Sequence, residues 1–279
     1  MRSIRIATKG YWPLPRFSRI HSGGWARLEA KALGPKEADY AFSSRRPLSP
    51  AMIILEAEIT HALPKKIIAS AGRRRFVLSR WIGGLYSNAN GRSLSSLRAF
   101  YDAIAPRYRY HVEPERLRQL SALADALRPL LPPGARILDA SAGDCTFVRA
   151  ASPGFEVWCN DISPKMLALR PKSVPPSRVF VSSASRLPFP PSSFDALIHT
   201  FSNSHSLDRR FFGSFFRVLK AGAPLLYHPV KAPGEQWPKD FPQKTFASLH
   251  AAGFQRAARH VAHSTGKKSS TLVFYIAYR

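Results

Sequence analysis

Two spacings of apolar residues alternate along the chain beyond residue 114, and the switches between them outline the elements. Leu117, Leu120, Leu123, Leu127, Leu130 and Leu131 recur at helical spacing. They predict a helix over 114–131, with Pro114 in its first turn and Pro132-Pro133-Gly134 as its stop. Short apolar runs then predict strands over 135–139, 155–160, 178–181, 194–200 and 224–228. Helices are predicted between them, near 144–151, after Ser163-Pro164 with Ser163 as N-cap, and from Asp208 through Phe212, Phe215, Phe216 and Leu219 to Gly222. Residues 244–252 predict a further helix, with Gly253 at its C-terminal end. Two strands, 255–262 and 270–278, follow with a short loop between them and predict an antiparallel hairpin.

Strands alternating with helices predict an α/β fold. The expected form is a doubly wound, Rossmann-like, seven-stranded and mostly parallel sheet, with an antiparallel C-terminal hairpin. That domain is expected over 96–279. Residues 1–95 show no persistent helical or alternating pattern and are expected to be a basic, poorly ordered N-terminal extension.

Charge sharpens the contrast. The 279 residues carry a net charge of +25, and residues 1–100 hold 18 Lys/Arg against 5 Asp/Glu. Leu63-Pro64-Lys65-Lys66, Arg73-Arg74-Arg75 and the aromatics Trp12, Trp25 and Trp81 interleave base with ring, a pattern compatible with a nucleic-acid arm. No apolar run reaches the roughly 18–20 residues of a membrane span. The only cysteines are Cys145 and Cys159, which makes neither a disulfide framework nor a zinc site. Reduced, buried thiols in a cytoplasmic protein are expected, with no metal.

The candidate chemistry lies at two successive strand ends. Ile137-Leu138-Asp139 runs into Ala140-Ser141-Ala142-Gly143-Asp144-Cys145, and Asp161 closes the next apolar run. In a doubly wound sheet, ligands lie beyond the carboxyl ends of the strands. A carboxylate accepts from two neighbouring hydroxyls at once, so Asp161 suits a ribose diol. Small residues after the first strand let main chain approach a ligand closely. Asp139 and Asp144 beside that turn disfavour a pyrophosphate and favour a ligand bearing positive charge.

With these motifs in order, the segment from Tyr101 onward resembles the class I S-adenosylmethionine-dependent methyltransferases. It is most similar to the ubiquinone/menaquinone-biosynthesis branch of small-molecule enzymes. The matching segments are 137–143, Asn160-Asp161-Ile162-Ser163-Pro164-Lys165-Met166-Leu167, Leu187-Pro188-Phe189 with Ser193-Phe194-Asp195, Arg217-Val218-Leu219-Lys220-Ala221-Gly222, and Ala252-Gly253-Phe254. The resemblance implies S-adenosyl-L-methionine as cofactor, held by Asp139, Ala140, Ser141, Gly143, Asp161, Ile162, Ser183, Ala184 and Tyr101. Ile162 would pack on adenine, Ser183 and Ala184 would meet its edge, and Tyr101 would cover the cofactor. His205, after the fourth strand, is the expected base. The family's G-x-G-x-G positions read Ser141, Gly143 and Cys145 here.

Methyl transfer to a small organic acceptor by in-line displacement is the leading expectation. Two alternatives stay open. One is an RNA or protein methyltransferase using the basic N-terminal segment. The other is a non-catalytic binding protein with this fold, suggested by Ser141, Cys145 and Ser183.

Overall fold

A computed structural model describes residues 17–20, 26–34, 37–44, 54–57, 66–71, 74–80, 85–87, 94–201, 209–230, 238–264 and 270–279. The chain divides into two compact units, Met1–His111 and Val112–Arg279.

The first unit contains a seven-stranded sheet built from β1 (Phe17–Ile20), β2 (Ala26–Gly34), β3 (Glu37–Ser44), β4 (Ile54–Ala57), β5 (Lys66–Ala71), β6 (Arg74–Arg80) and β7 (Leu85–Ser87). The order is β1-β4-β7-β6-β5-β3-β2, and β3 with β5 is its one parallel pair. The register reveals an alternation that the sequence reading passed over. β2 and β3 pair Leu28 with Phe42, Ala30 with Tyr40 and Ala32 with Ala38. The intervening positions pair Lys31 with Asp39 and Arg27 with Ser43. The signal is faint because alanine fills many of the apolar positions and several strands are only three or four residues long.

The unit boundary falls within α1 (Leu94–Leu127). This helix starts twenty residues before the position predicted from Pro114. Proline's fixed φ is compatible with helix, but inside one it removes a main-chain donor and its ring crowds the carbonyl four residues back.

In the second unit, the predicted alternation is present. The strands are β8 (Arg136–Ala140), β9 (Glu156–Asp161), β10 (Val179–Val181), β11 (Ala196–Thr200), β12 (Pro224–His228), β13 (Arg256–Ser264) and β14 (Ser270–Tyr278). Four helices accompany them: α2 (Phe147–Ala151), α3 (Pro164–Leu167), α4 (Arg209–Val218) and α5 (Phe241–Ala251). The order is β10-β9-β8-β11-β12-β14-β13. β8 to β12 are parallel, and β14 runs antiparallel between β12 and β13. The order reverses direction between β8 and β11, which puts a switch point beside β8.

Alternate residues of each strand feed two apolar layers. Ile137, Val157, Ile198 and Leu226 pack with Leu120, Leu123 and Leu127 of α1. Leu138, Leu197, Leu225 and Tyr227 pack with Phe212 and Phe215 of α4 and Leu249 of α5. Each such side chain contributes roughly 1.5–3 kcal/mol by leaving water. Leu130, predicted on the same stripe as Leu127, is instead 38% exposed, because the helix tightens into a 3-10 turn at Arg128–Leu130.

Two of the recognisable motifs brace the fold. Asp195 accepts from the main-chain N–H of Arg136 at 2.9 Å and from Lys220 Nζ at 2.6 Å. The Arg217 guanidinium donates to the carbonyls of Phe189 at 2.6 Å and Leu187 at 2.7 Å, fixing the loop before β11 to α4.

Gly253 follows α5 with φ +108°, and a Cβ there would stand 2.9 Å from the Phe216 ring. That ring is held by an edge contact with Phe254 at 5.4 Å and by the Arg279 guanidinium at 5.0 Å. Gly253→Ala is therefore expected to lower stability by about 2 kcal/mol, through left-handed strain plus collision. Urea denaturation of the two proteins checks this.

Candidate functional site

The register brings Asp139 and Asp161 to one side of the sheet. Asp139 pairs with Cys159, and Asp161 lies two residues further along β9, so both side chains leave the same face. Thr200 and His228, at the ends of β11 and β12, are placed on that face too. Asp139 is 3% exposed and Asp161 7%.

The turn after β8 is held against β9 by three main-chain donors. Ser141 and Ala142 donate to the carbonyl of Asn160, at 2.7 and 2.9 Å. Gly143 donates to Asp161 Oδ2 at 2.9 Å, while Ser163 N–H reaches the other oxygen at 2.8 Å. To make this turn, Ser141, Gly143 and Cys145 adopt φ of 71°, 58° and 59°. All three G-x-G-x-G positions thus lie in the left-handed region, which is the physical reason glycine suits them. Serine and cysteine hold the same conformation at a cost of about 1–2 kcal/mol each.

The electrostatics of the two acids differ. Burial pushes the Asp139 carboxyl up to about 8, with Asp161 and Asp144 adding to the rise and Arg116 opposing it. Among the described residues, no protein hydrogen bond reaches that carboxyl. Burial also raises Asp161, but the N–H groups of Ser163 and Gly143 oppose the shift. Asp144 is tied locally, accepting from Thr146 Oγ1 at 2.6 Å.

Arg116 is a residue the sequence reading missed. It acts on Asp139, Asp161 and His228 alike, and its guanidinium sits 4.8 Å from the Phe201 ring centroid. Its signal was available: it stands one helical turn before Leu120, a cation on an otherwise apolar stripe.

The remaining candidates fall in different places. Ser163 caps α3, accepting from Met166 N–H at 3.1 Å, which positions Ile162 half-buried beside Asp161. Ser183 caps the 3-10 turn Ala184–Arg186: its hydroxyl accepts from Ser185 N–H at 3.3 Å and lies 2.8 Å from Ser185 Oγ. Ala140 and Ala184 are buried. Tyr101 lies on the part of α1 that belongs to the first unit. His205 and Asp208 lie outside the described residues. His199 leaves the opposite face of the sheet, bonds the Ala140 carbonyl at 2.8 Å through Nδ1, and is lowered to about 4 by burial. His228 bonds the Val273 carbonyl at 2.8 Å through Nδ1 and is likewise lowered by burial. Both imidazoles are neutral at pH 7.

Two buried acids, one of them without a hydrogen bond, flank a main-chain turn and face one guanidinium. Such a set suits a zwitterionic ligand carrying a diol. Residues 138–227 match the family model described as a methyltransferase domain. The chain is similar to the methyltransferase solved with the Haloferax volcanii Trm112 activator, at 16% identity and TM-score 0.52, over 64% of this chain and 97% of that one. It is similar to Haemonchus contortus phosphoethanolamine N-methyltransferase 2, at 16% identity and TM-score 0.50, over 70% of this chain and 63% of that one. No curated protein matches the chain in sequence. Residues 138–227 therefore match a methyltransferase domain, and the second unit shares the fold of these methyltransferase structures.

Two outcomes follow from the strain and from the buried acid. Ser141→Gly is expected to stabilise the protein by about 1 kcal/mol, read from chemical denaturation. Asp139 has a folded-state value raised above its unfolded one, so its contribution is full below about pH 4 and is lost as pH rises toward 8. Asp139→Asn removes that loss. The stability of the variant relative to the parent is expected to grow from pH 4 to pH 8, by up to about 1.4 kcal/mol per unit.

Proposed function

We propose that this methyltransferase acts on a small organic acceptor, with its cofactor held between Asp139, Asp161 and the turn Ala140–Gly143. S-adenosylmethionine, when bound, supplies a methyl group already activated on a sulfonium. What remains for the chain is to bind, orient and exclude water. Asp161 accepts main-chain N–H groups on both oxygens and offers its remaining lone pairs to the ribose diol. Asp139 meets the ammonium, and Arg116 meets the carboxylate at the same end. Ile162 offers adenine an apolar face. Because the Ser183 hydroxyl is engaged with Ser185, contact with the adenine edge falls to main chain at Ser183 and Ala184.

The reading is carried by one observation: Asp139 is a buried carboxyl with no protein hydrogen bond among the described residues, on the same face as Asp161. Burying such a group without a partner costs several kcal/mol unless a ligand supplies one. The finer assignment, to the ubiquinone/menaquinone-like small-molecule branch, is supported by the run 160–167. A small acceptor is supported by the enclosure around the ends of β11 and β12. There Thr200 and His228 are buried, and Phe201 is covered by Arg116 and by the His228 ring, 4.8 Å away. His205 is the proposed base where the acceptor must lose a proton.

Isothermal titration of the full chain with S-adenosylhomocysteine tests this, with one site expected; absence of binding at millimolar ligand overturns it. Asp161→Ala is expected to weaken that affinity by at least about tenfold. An ammonium favours the ionised form of Asp139, whose carboxyl sits near 8 in the free protein. Binding at pH 7 is therefore expected to release close to one proton. The measured enthalpy should vary with the ionisation enthalpy of the buffer, and Asp139→Asn should abolish that dependence.

A further inference from the structure

Asp139 is not alone in lacking a partner. Thr200 ends β11 and His228 ends β12, and the two are register partners on the Asp139 face. Thr200 is 4% exposed and His228 7%. Among the described residues, no hydrogen bond reaches the Thr200 hydroxyl or the Nε2 of His228. Buried polar side chains are nearly always bonded, so such exceptions call for a cause. The cofactor reading accounts for Asp139 and leaves these two groups over.

The surroundings fix the tautomer of His228. Its Nδ1 lies 2.8 Å from the Val273 carbonyl, and a carbonyl oxygen only accepts, so Nδ1 carries the hydrogen. Burial lowers this imidazole, with Arg116 adding to the fall, so Nε2 is a bare lone pair at pH 7. Val273 belongs to β14, and the two ring nitrogens point away from each other, so Nε2 is turned away from β14. The neighbour on the other side of β12 is β11, which ends in Thr200. Phe201 walls the same place. Its N–H donates to the His228 carbonyl at 3.2 Å, and its ring meets the imidazole edge-on with centroids 4.8 Å apart. It takes φ of 54° there, uncommon for a bulky residue.

We infer that Thr200 and His228 form an acceptor subsite for a neutral hydroxyl, which donates to His228 Nε2 and accepts from Thr200 Oγ1. The inference rests on the small-acceptor reading proposed above for its place in the reaction, but not for the hydroxyl preference itself. A hydroxyl fits because one atom both gives a hydrogen and offers lone pairs. An ionised carboxylate brings only lone pairs and meets the bare nitrogen with like polarity. An ammonium is disfavoured by the Arg116 charge, which already acts on His228. An ether has no hydrogen to give, and leaves Nε2 buried without a donor.

Phenol and its methyl ether, anisole, test this on the full chain, with and without S-adenosylhomocysteine. The histidines are isotopically labelled at nitrogen, and the His228 signals are those absent from His228→Asn. Before phenol is added, Nδ1 should be protonated and Nε2 bare. Phenol should move the Nε2 resonance upfield, and anisole should leave it in place. Phenol should bind at least about tenfold more tightly than anisole. His228→Asn keeps a side-chain N–H for Val273 and removes Nε2, so it should erase that preference. Thr200→Val keeps the side-chain shape and should lower phenol affinity. Equal affinities, an Nε2 that phenol does not move, or absence of phenol binding overturns the inference. Failure of S-adenosylhomocysteine to bind would instead strike the functional proposal, while phenol and anisole on the free protein still decide the subsite.

Discussion

One carboxylate couples the two halves of the binding turn. Asp161 ends β9 and receives N–H groups from Gly143, on the turn after β8, and from Ser163, at the start of α3. With those bonds in place, the turn can run through three left-handed residues and keep its main chain open to a ligand. A neutral apolar residue of the same size would leave two buried N–H groups without acceptors, at about 1–3 kcal/mol each. Asp161 is therefore structural before any ligand arrives, and the proposed diol contact would use the same two oxygens.

Asp139 is the counterpart, a group whose cost is not met within the described protein. Its burial stabilises the neutral form, and Arg116 offsets only part of that penalty. Stability is given up at the place where the proposed ligand would restore it, a pattern common at functional sites. The neutral His199, buried on the opposite face beside Phe215 and Tyr227, shows the alternative: a titratable ring settled by packing and by a main-chain carbonyl.

The sheet of the second unit was legible in the sequence because its strands are short apolar runs flanked by turn residues, and because Ser163-Pro164 and Gly253 punctuate the helices at the right places. The pair Asp139 and Asp161 was legible from strand ends alone. Three features were not. Pro114 suggested a helix start, yet α1 passes through it, although an interior proline removes a donor and crowds the preceding turn. The alternation in β2 and β3 was hidden by alanine, which reads as neither clearly apolar nor polar. Arg116 showed in the sequence only as a cation on a packing stripe, and the fold was needed to show which strand ends that stripe faces.

The placement of β14 between β12 and β13 has a consequence for biosynthesis. β12 emerges from the ribosome about forty residues before the strand that pairs with its free side. At roughly 5–20 residues per second, its edge stays unpaired for several seconds. Pro224-Leu225-Leu226-Tyr227 thus presents an unpaired apolar edge to the surroundings until β14 is made.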